Sequence, residues 1–192
     1  MKTYAGIGSR QTPSHVLAHM EALAQSLRAA GWTLRSGGAE GADTAFENGA
    51  RRANGPCDPC EIYLPWPNFQ GRSGPDCYLL TPEAVALAAT LQHPRWNFLS
   101  QGARKLLSRN MHQICGKDLQ STCDFVICYT KNGSGSGGTG FALKLAKQKN
   151  VPIFDYGTYY LLEDAVLELQ NFLAPHHLTA PPVDSKQRTL DI

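Results

Sequence analysis

The sequence contains no run of about 18 apolar residues, so we expect no membrane-spanning helix. Charged side chains are also scarce, at 18% of the 192 residues, and the formal net charge is +2. So small a charge does not indicate a general nucleic-acid binder, although it leaves room for a local basic patch. No apolar signal segment opens the chain, and we therefore expect a cytoplasmic protein whose six cysteines are thiols.

Two motifs with well-defined chemistry are missing or incomplete. No Gly-Lys-Ser/Thr follows a glycine-rich segment, which excludes the phosphate loop of ATPases. Cys57 and Cys60 form a single Cys-x-x-Cys pair, whereas a structural zinc site uses four ligands. We interpret this pair as a turn with free thiols, and we expect neither a metal nor a cofactor.

What the sequence does contain is a regular alternation of short apolar runs and helical patterns, with 18 glycines and 12 prolines. The alternation predicts one α/β domain over residues 1–174, with a Rossmann-like, doubly wound, mainly parallel sheet and helices on both faces. Residues 65–100 are expected to form an insertion, and residues 175–192 a flexible C-terminal tail. Strands are expected at about 3–7, 32–35, 61–64, 124–129 and 151–154, and helices at about 14–30, 42–53, 82–91, 101–114, 141–148 and 159–172.

Three loops built from glycine with serine or threonine each follow an expected strand and lead into a helix. Glycine lets the backbone approach an anion closely, and the helix that follows offers unpaired N–H groups at the positive end of its dipole. Phosphate is the natural ligand of such a loop. The predicted binding residues are Gly8, Ser9, Arg10, Ser36, Gly37, Gly38, Ala39, Asp43, Gly137, Gly138 and Thr139.

The order of these segments resembles that of the SLOG superfamily, which joins DNA processing protein A (DprA/Smf) with the Lonely Guy (LOG) nucleotide phosphoribohydrolases. The segment Ser36 to Glu47 is most similar to the DprA side, and Ser108-Arg109-Asn110-Met111 followed by the strand at 124–127 resembles a further part of the pattern. The resemblance covers about residues 3–155. It implies a nucleotide-binding Rossmann-like fold, often as a homo-oligomer.

The candidate catalytic residues are Asp43, Glu47 and Arg109. In LOG enzymes a glutamate after the late glycine loop is catalytic, whereas Gly140 and Phe141 follow Thr139 here. N-glycosidic cleavage would therefore rely on Asp43 and Glu47, one helical turn apart, as the acid–base pair. Alternatively, Asp43 favours the start of its helix, and Arg109 is an exposed helix cation.

We predict binding of a small nucleotide, with cleavage of its N-glycosidic bond if the protein is an enzyme. The alternative is a DprA-like module that binds single-stranded DNA through cations of residues 102–117 (Arg104, Lys105, Arg109 and Lys117). A third interpretation is an interaction scaffold without a ligand. Five aromatic residues of the insertion either stack on a base or pack in the core: Trp66, Phe69, Tyr78, Trp96 and Phe98.

Overall fold

In the computed structural model, which describes residues 1–91 and 93–183, six parallel strands form one sheet. The sheet order is β4-β3-β2-β1-β5-β6, so the first strand lies in the middle. Every strand pair is parallel. The strands are β1 (Thr3–Gly8), β2 (Thr33–Ser36), β3 (Cys60–Leu64), β4 (Cys77–Leu79), β5 (Phe125–Tyr129) and β6 (Ile153–Asp155).

Helices of the described chain cover both faces of this sheet. They are α1 (Ser14–Ala29), α2 (Ala42–Arg52), α3 (Pro82–Thr90), α4 (Gln101–Cys115), α5 (Gly137–Gln148) and α6 (Leu162–Leu173). One buried cluster contains residues of α1, α2 and α6, and the other contains residues of α3, α4 and α5. Strand β1 serves both clusters, with Tyr4 in the first and Ala5 and Ile7 in the second, because alternate side chains point to opposite faces. The expected Rossmann-like α/β fold is confirmed.

Three elements differ most clearly from the expectation. Strand β4 lies inside the expected insertion, where no strand was predicted: its apolar run is short, and its residues are at most partly buried. Helix α5 begins at Gly137, although glycines favour loops over helices. Helix α6 begins at Leu162 rather than near 159, because residues 156–158 form a 3-10 turn capped by Asp155.

The segment after α6 is held against the domain as far as the structure describes it. The Nε2–H of His19 donates to the carbonyl oxygen of Pro181 over 2.8 Å, and the N–H of Ala180 donates to Oε1 of Gln170 over 2.8 Å. Leu178 is buried, and His176 packs against the rings of Trp32 and Phe125. Apolar and hydrogen-bonding side chains thus hold residues 175–183 against the domain, and a flexible tail stays a prediction. Residues 184–192 of that tail lie outside the described part of the chain.

The insertion at residues 65–100 contains strand β4, helix α3 and two 3-10 turns. Most of its aromatic rings contact other rings: Trp66, itself 36% exposed, meets Phe69 edge-on, Tyr78 lies beside Tyr63, and Trp96 stacks on Phe141. Phe98 differs, with 84% of its surface exposed. Within residues 1–91 and 93–183, no helix has the length and apolar character that crossing a membrane requires.

Candidate functional site

The loops after β1 and β5 leave the sheet at the point where its strand order reverses. From β1 the chain adds β2, β3 and β4 on one side, and it then returns to place β5 on the other side. Ligands of doubly wound sheets bind at such a switch point, outside the carboxyl ends of the strands. A cavity of about 540 Å³ opens here, between the loops that follow β1, β2 and β5 and one face of α4.

Asp43, in the first turn of α2, ties two of the glycine loops together. Its carboxylate accepts the N–H of Gly8 over 3.2 Å and the N–H of Ala39 over 3.4 Å. The side chain lines the cavity yet is only 3% exposed. Burial raises the pKa of this carboxyl above its ordinary value, while Arg109 and the two N–H groups act in the opposite direction.

Arg109 lies on α4 and is buried beside this carboxylate. Its Nη1 is 3.4 Å from Oδ2 of Asp43, and its guanidinium lies 6.0 Å from the ring centre of Phe69. Only 5% of its surface is exposed, which excludes the alternative of an exposed helix cation. Burial lowers the pKa of Arg109; Asp43 opposes this shift, whereas Arg10 adds to it. The Nε of Arg109 has no hydrogen-bond partner among the described residues.

Two amide side chains on the same helix complete a connected network. Asn110 donates through Nδ2 to the carbonyl oxygen of Gly138 over 2.8 Å, which fastens α4 to the third glycine loop. With its amide oxygen toward Gly37, Gln113 accepts the N–H of Gly37 at 2.9 Å and Nη1 of Arg109 at 3.1 Å. In the same orientation its nitrogen donates to Oδ1 of Asn110 at 2.9 Å. The network thus connects all three glycine loops.

The amino terminus of α5 supplies the free donors of the cavity. Gly137, Gly138 and Thr139 form its first turn and line the cavity, and the N–H groups of a first turn have no partner within their own helix. Ser136 does not cap them with its side chain, because its hydroxyl lies 2.8 Å from that of Ser134. The helix dipole adds positive potential at this point. The geometry suits an anion.

Spacing among the glycines of this loop is itself a signal that sequence reasoning can use. Gly135, Gly137 and Gly140 follow the Gly-x-Gly-x-x-Gly pattern, at the entry to a helix. At Gly140 a Cβ would lie 1.7 Å from the carbonyl oxygen of Gly135, so no larger residue fits without a backbone shift. The pattern therefore marks a tight turn that exposes backbone donors.

Several backbone N–H groups of the first two loops already have partners within the protein. The N–H of Ser9 donates to the carbonyl oxygen of Tyr129 over 3.0 Å, and those of Gly8 and Ala39 donate to Asp43. These loops therefore offer a ligand mainly side chains. Arg10 contributes an exposed guanidinium to the lining, and Lys131 an exposed ammonium group from the far side.

Several predicted site residues lie away from this cavity. The hydroxyl of Ser36 donates to the carbonyl oxygen of Gly6 over 2.7 Å. Gly37 lies against Arg109, and Gly38 lies against the side chain of Arg72. These three residues pack behind the residues that line the cavity and do not line it themselves.

Glu47 is also absent from the residues that line the cavity, and two guanidinium groups hold its carboxylate. Nε of Arg51 lies 3.0 Å from Oε1 of Glu47, and Nε of Arg72 lies 2.7 Å from Oε2. The structure does not bring Asp43 and Glu47 together at one point, because each carboxylate faces its own arginine partner. An acid–base pair made of these two residues has no support in the geometry.

The suggested cationic face along residues 102–117 is divided in the structure. Arg109 lines the cavity, but Arg104 donates to the carbonyl oxygens of Trp96 and Asn97. Lys117 lies 4.8 Å from the ring centre of Tyr78. Of the four cations suggested, Arg104, Lys105, Arg109 and Lys117, only Arg109 lines the cavity.

The Cys-x-x-Cys pair lies at the opposite end of the sheet from the cavity. The Sγ of Cys57 accepts from Nη1 of Arg28 over 3.1 Å and from the hydroxyl of Thr33 over 3.3 Å. Cys60 begins β3, and burial raises the pKa of its thiol to about 12. Within the described residues, no group of three or more potential metal ligands comes together.

Comparison with known proteins shows the fold. The chain matches no protein-family model and no curated protein sequence. DNA processing protein A from Helicobacter pylori, described for its single-stranded DNA binding mode, matches with a TM-score of 0.59 and 20% identity, over 92% of this chain and 80% of that protein. The molybdenum cofactor carrier protein from Chlamydomonas reinhardtii matches with a TM-score of 0.51 and 15% identity, over 98% and 94%. This chain has the Rossmann-like α/β fold of both proteins.

Proposed function

We propose that the protein binds single-stranded DNA and that the cavity at the switch point takes one backbone phosphate. The observation that carries this proposal is the convergence of the free N–H groups of α5 with the side chains of Arg10, Lys131 and Thr139 around one opening. Phosphate oxygens accept hydrogen bonds and carry a negative charge that complements Arg10 and Lys131. The fold shared with DNA processing protein A, a single-stranded DNA-binding protein in Helicobacter pylori, adds support.

The charge of the chain sets the expected strength of this interaction. With a net charge of +2, binding depends on the few cations at the cavity rather than on the field of the whole protein. Each neutralised phosphate contributes about −0.7 to the slope of log affinity against log salt for a single strand. Arg109 is already paired with Asp43, so Arg10 and Lys131 are the cations that count, and we expect the one phosphate that they share to contribute about −0.7 to the slope.

The positions of the carboxylates of Asp43 and Glu47 support a binding role without catalysis. Among the described residues that line the cavity, Asp43 is the only acidic one, and its oxygens already accept three hydrogen bonds. Glu47 is held between two arginines outside the cavity. A general acid or base needs a carboxyl group within reach of the substrate and free to exchange a proton.

A second candidate function is the binding of a free nucleotide. The size of the cavity, about 540 Å³, supports it, because pockets for small molecules range from about 300 to 1,000 Å³. In this case the phosphate takes the same place at α5, and the nucleoside occupies the rest of the cavity. Cleavage of the N-glycosidic bond would then depend on Asp43 alone.

Fluorescence anisotropy of a labelled oligothymidylate at two salt concentrations tests the first proposal. We expect salt-dependent binding that is weakened at least tenfold in Arg10→Gln and in Lys131→Gln. Lys149→Gln is the matched control, because Lys149 is exposed at the end of the same helix α5 and lies outside the cavity lining. Equal affinities in the wild type and the two cavity variants would contradict the proposal.

A parallel screen separates the two candidates. Thermal shift with thymidine monophosphate, AMP and ADP-ribose, followed by chromatography of the products, reports both binding and release of a free base. A shift with a mononucleotide, combined with no retention of the oligonucleotide, favours the second candidate. Release of a free base would establish the hydrolase and overturn a purely binding role.

A further inference from the structure

A second cavity, of about 290 Å³, lies on the other side of the loop that follows β5. Lys131 and residues 136–139 of this loop line the first cavity, whereas Gly133, Ser134 and Gly135 line the second. A single loop therefore forms a wall of both cavities. The remaining wall of the second cavity comes from α5, β6 and the turn after β6.

This shared loop is held in a defined shape. Four of its residues have left-handed backbone angles, namely Asn132, Gly133, Gly135 and Gly137. Asp155 accepts the N–H of Thr130 over 2.8 Å and that of Gly157 over 3.0 Å, and the hydroxyl of Thr130 accepts the N–H of Gly135 over 2.9 Å. The two cavities therefore keep a constant separation, which a preorganised site for adjacent groups requires.

The chemistry of the second cavity differs from that of the first. Its walls include the ring of Tyr159 and the side chains of Phe154 and Leu143. Tyr159 stacks on Phe154 with ring centres 5.6 Å apart and planes inclined by 15°, which fixes its orientation. Lys147 adds an exposed ammonium group, with no hydrogen-bond or ion-pair partner among the described residues. An aromatic ring and Lys147 side by side suit a ligand that carries a flat aromatic ring next to an anionic group.

We infer that the second cavity binds the base of the nucleotide adjacent to the one whose phosphate occupies the first cavity. The base stacks on Tyr159, since stacking accepts any base, and Lys147 neutralises the phosphate of that nucleotide. The inference rests on the proposed binding of single-stranded DNA and extends it to a two-nucleotide site. A strand that crosses the loop occupies both cavities, whereas a mononucleotide occupies only the first.

Tyr159→Leu tests the stacking role. We expect oligothymidylate to bind between about fivefold and a hundredfold more weakly, with thymidine monophosphate unaffected and the pattern restored by Tyr159→Phe. Tyr160→Leu is the matched control, because the neighbouring ring is 99% exposed and outside the cavity. Thermal denaturation of each variant establishes that it is folded.

Lys147→Gln tests whether the ammonium group of Lys147 neutralises a phosphate of the strand. It should make the salt slope shallower by about 0.7, and Lys149→Gln should leave the slope unchanged. If Tyr159→Leu and Lys147→Gln bind the strand as the wild type does while Arg10→Gln weakens it, the second subsite is refuted and the phosphate site stands. If the wild type itself does not bind the strand, the proposed function fails and this inference falls with it.

Discussion

Replacement of Gly37 by alanine should displace Arg109 from the site. A Cβ at residue 37 would lie 0.8 Å from Nη1 of Arg109, 2.1 Å from its Cζ and 2.7 Å from the side-chain amide of Gln113. The backbone of Gly37 is not in the left-handed region, so the added methyl group acts by occupying space. Since two side chains cannot share this volume, the guanidinium must leave its place between Asp43 and Gln113.

The size of the effect follows from the burial of the pair. Asp43 is 3% and Arg109 5% exposed, and breaking a buried pair of this kind costs about 3–5 kcal/mol. Against a total stability of about 5–15 kcal/mol, this is a large fraction. We therefore expect the Gly37→Ala variant to unfold at a clearly lower urea concentration and to lose affinity for the oligonucleotide.

Urea unfolding of a double-mutant cycle gives the measurement. Gly37→Ala and Arg109→Ala should each lower the free energy of unfolding, and their combination should cost little more than either alone, because both remove the same pair. Gly102→Ala is the control: it lies on α4, has nothing within 4 Å of an added Cβ, and should be neutral or stabilise by up to ~1 kcal/mol. Additive losses in the cycle would refute the idea that Gly37 acts through Arg109.

Three further predictions concern stability. In Gly140→Ala the new Cβ would lie 1.7 Å from the carbonyl oxygen of Gly135, so α5 must move away from that loop. The melting temperature and the affinity for phosphate should both fall, and an unchanged melting temperature would contradict this prediction. Tyr4→Phe should raise the free energy of unfolding by about 1 kcal/mol, because the buried hydroxyl has no partner among the described residues, and a loss in urea unfolding argues against it. Burial lowers the pKa of His19 below its ordinary value of 6.5, so the stability that its neutral form contributes above that pH is lost as the pH falls. The His19→Gln variant should therefore lose less stability than the wild type between about pH 7 and 5. Equal pH profiles of unfolding would show that His19 is not the group responsible.

The fold could be predicted where burial dictates the residue pattern. The apolar run of β5 is buried on both faces of the sheet, which leaves a continuous signal in the sequence. Strand β4 gives a weaker signal, because it lies at the edge of the sheet and its apolar run is short and only partly buried, with Cys77 opposite Ile62 and Leu79 opposite Leu64. The run stands alone among glycine, proline and polar residues, so the pattern did not separate it from a loop.

The site was partly predictable for a similar reason. The glycine loops and Arg10 stand in the sequence next to expected strand ends, and parallel strands bring those ends together. Gln113 could not be found this way, because it joins the site through contacts of helix α4 with Gly37, which is distant in the sequence. Its spacing of four residues from Arg109 on one helix is the only local signal, and it places the two side chains on a common face.

Asp43 and Glu47 show why a pair of acids in a sequence does not define a catalytic pair. They stand one turn apart on α2, which suggests a shared task. In the structure their partners come from different elements: Asp43 meets Arg109 of α4, and Glu47 meets Arg72 of the insertion. Each carboxylate therefore holds a cationic segment in place, and the donors freed for a ligand are those of α5. The same geometry that argues against hydrolysis thus accounts for the rigidity of the proposed anion-binding site.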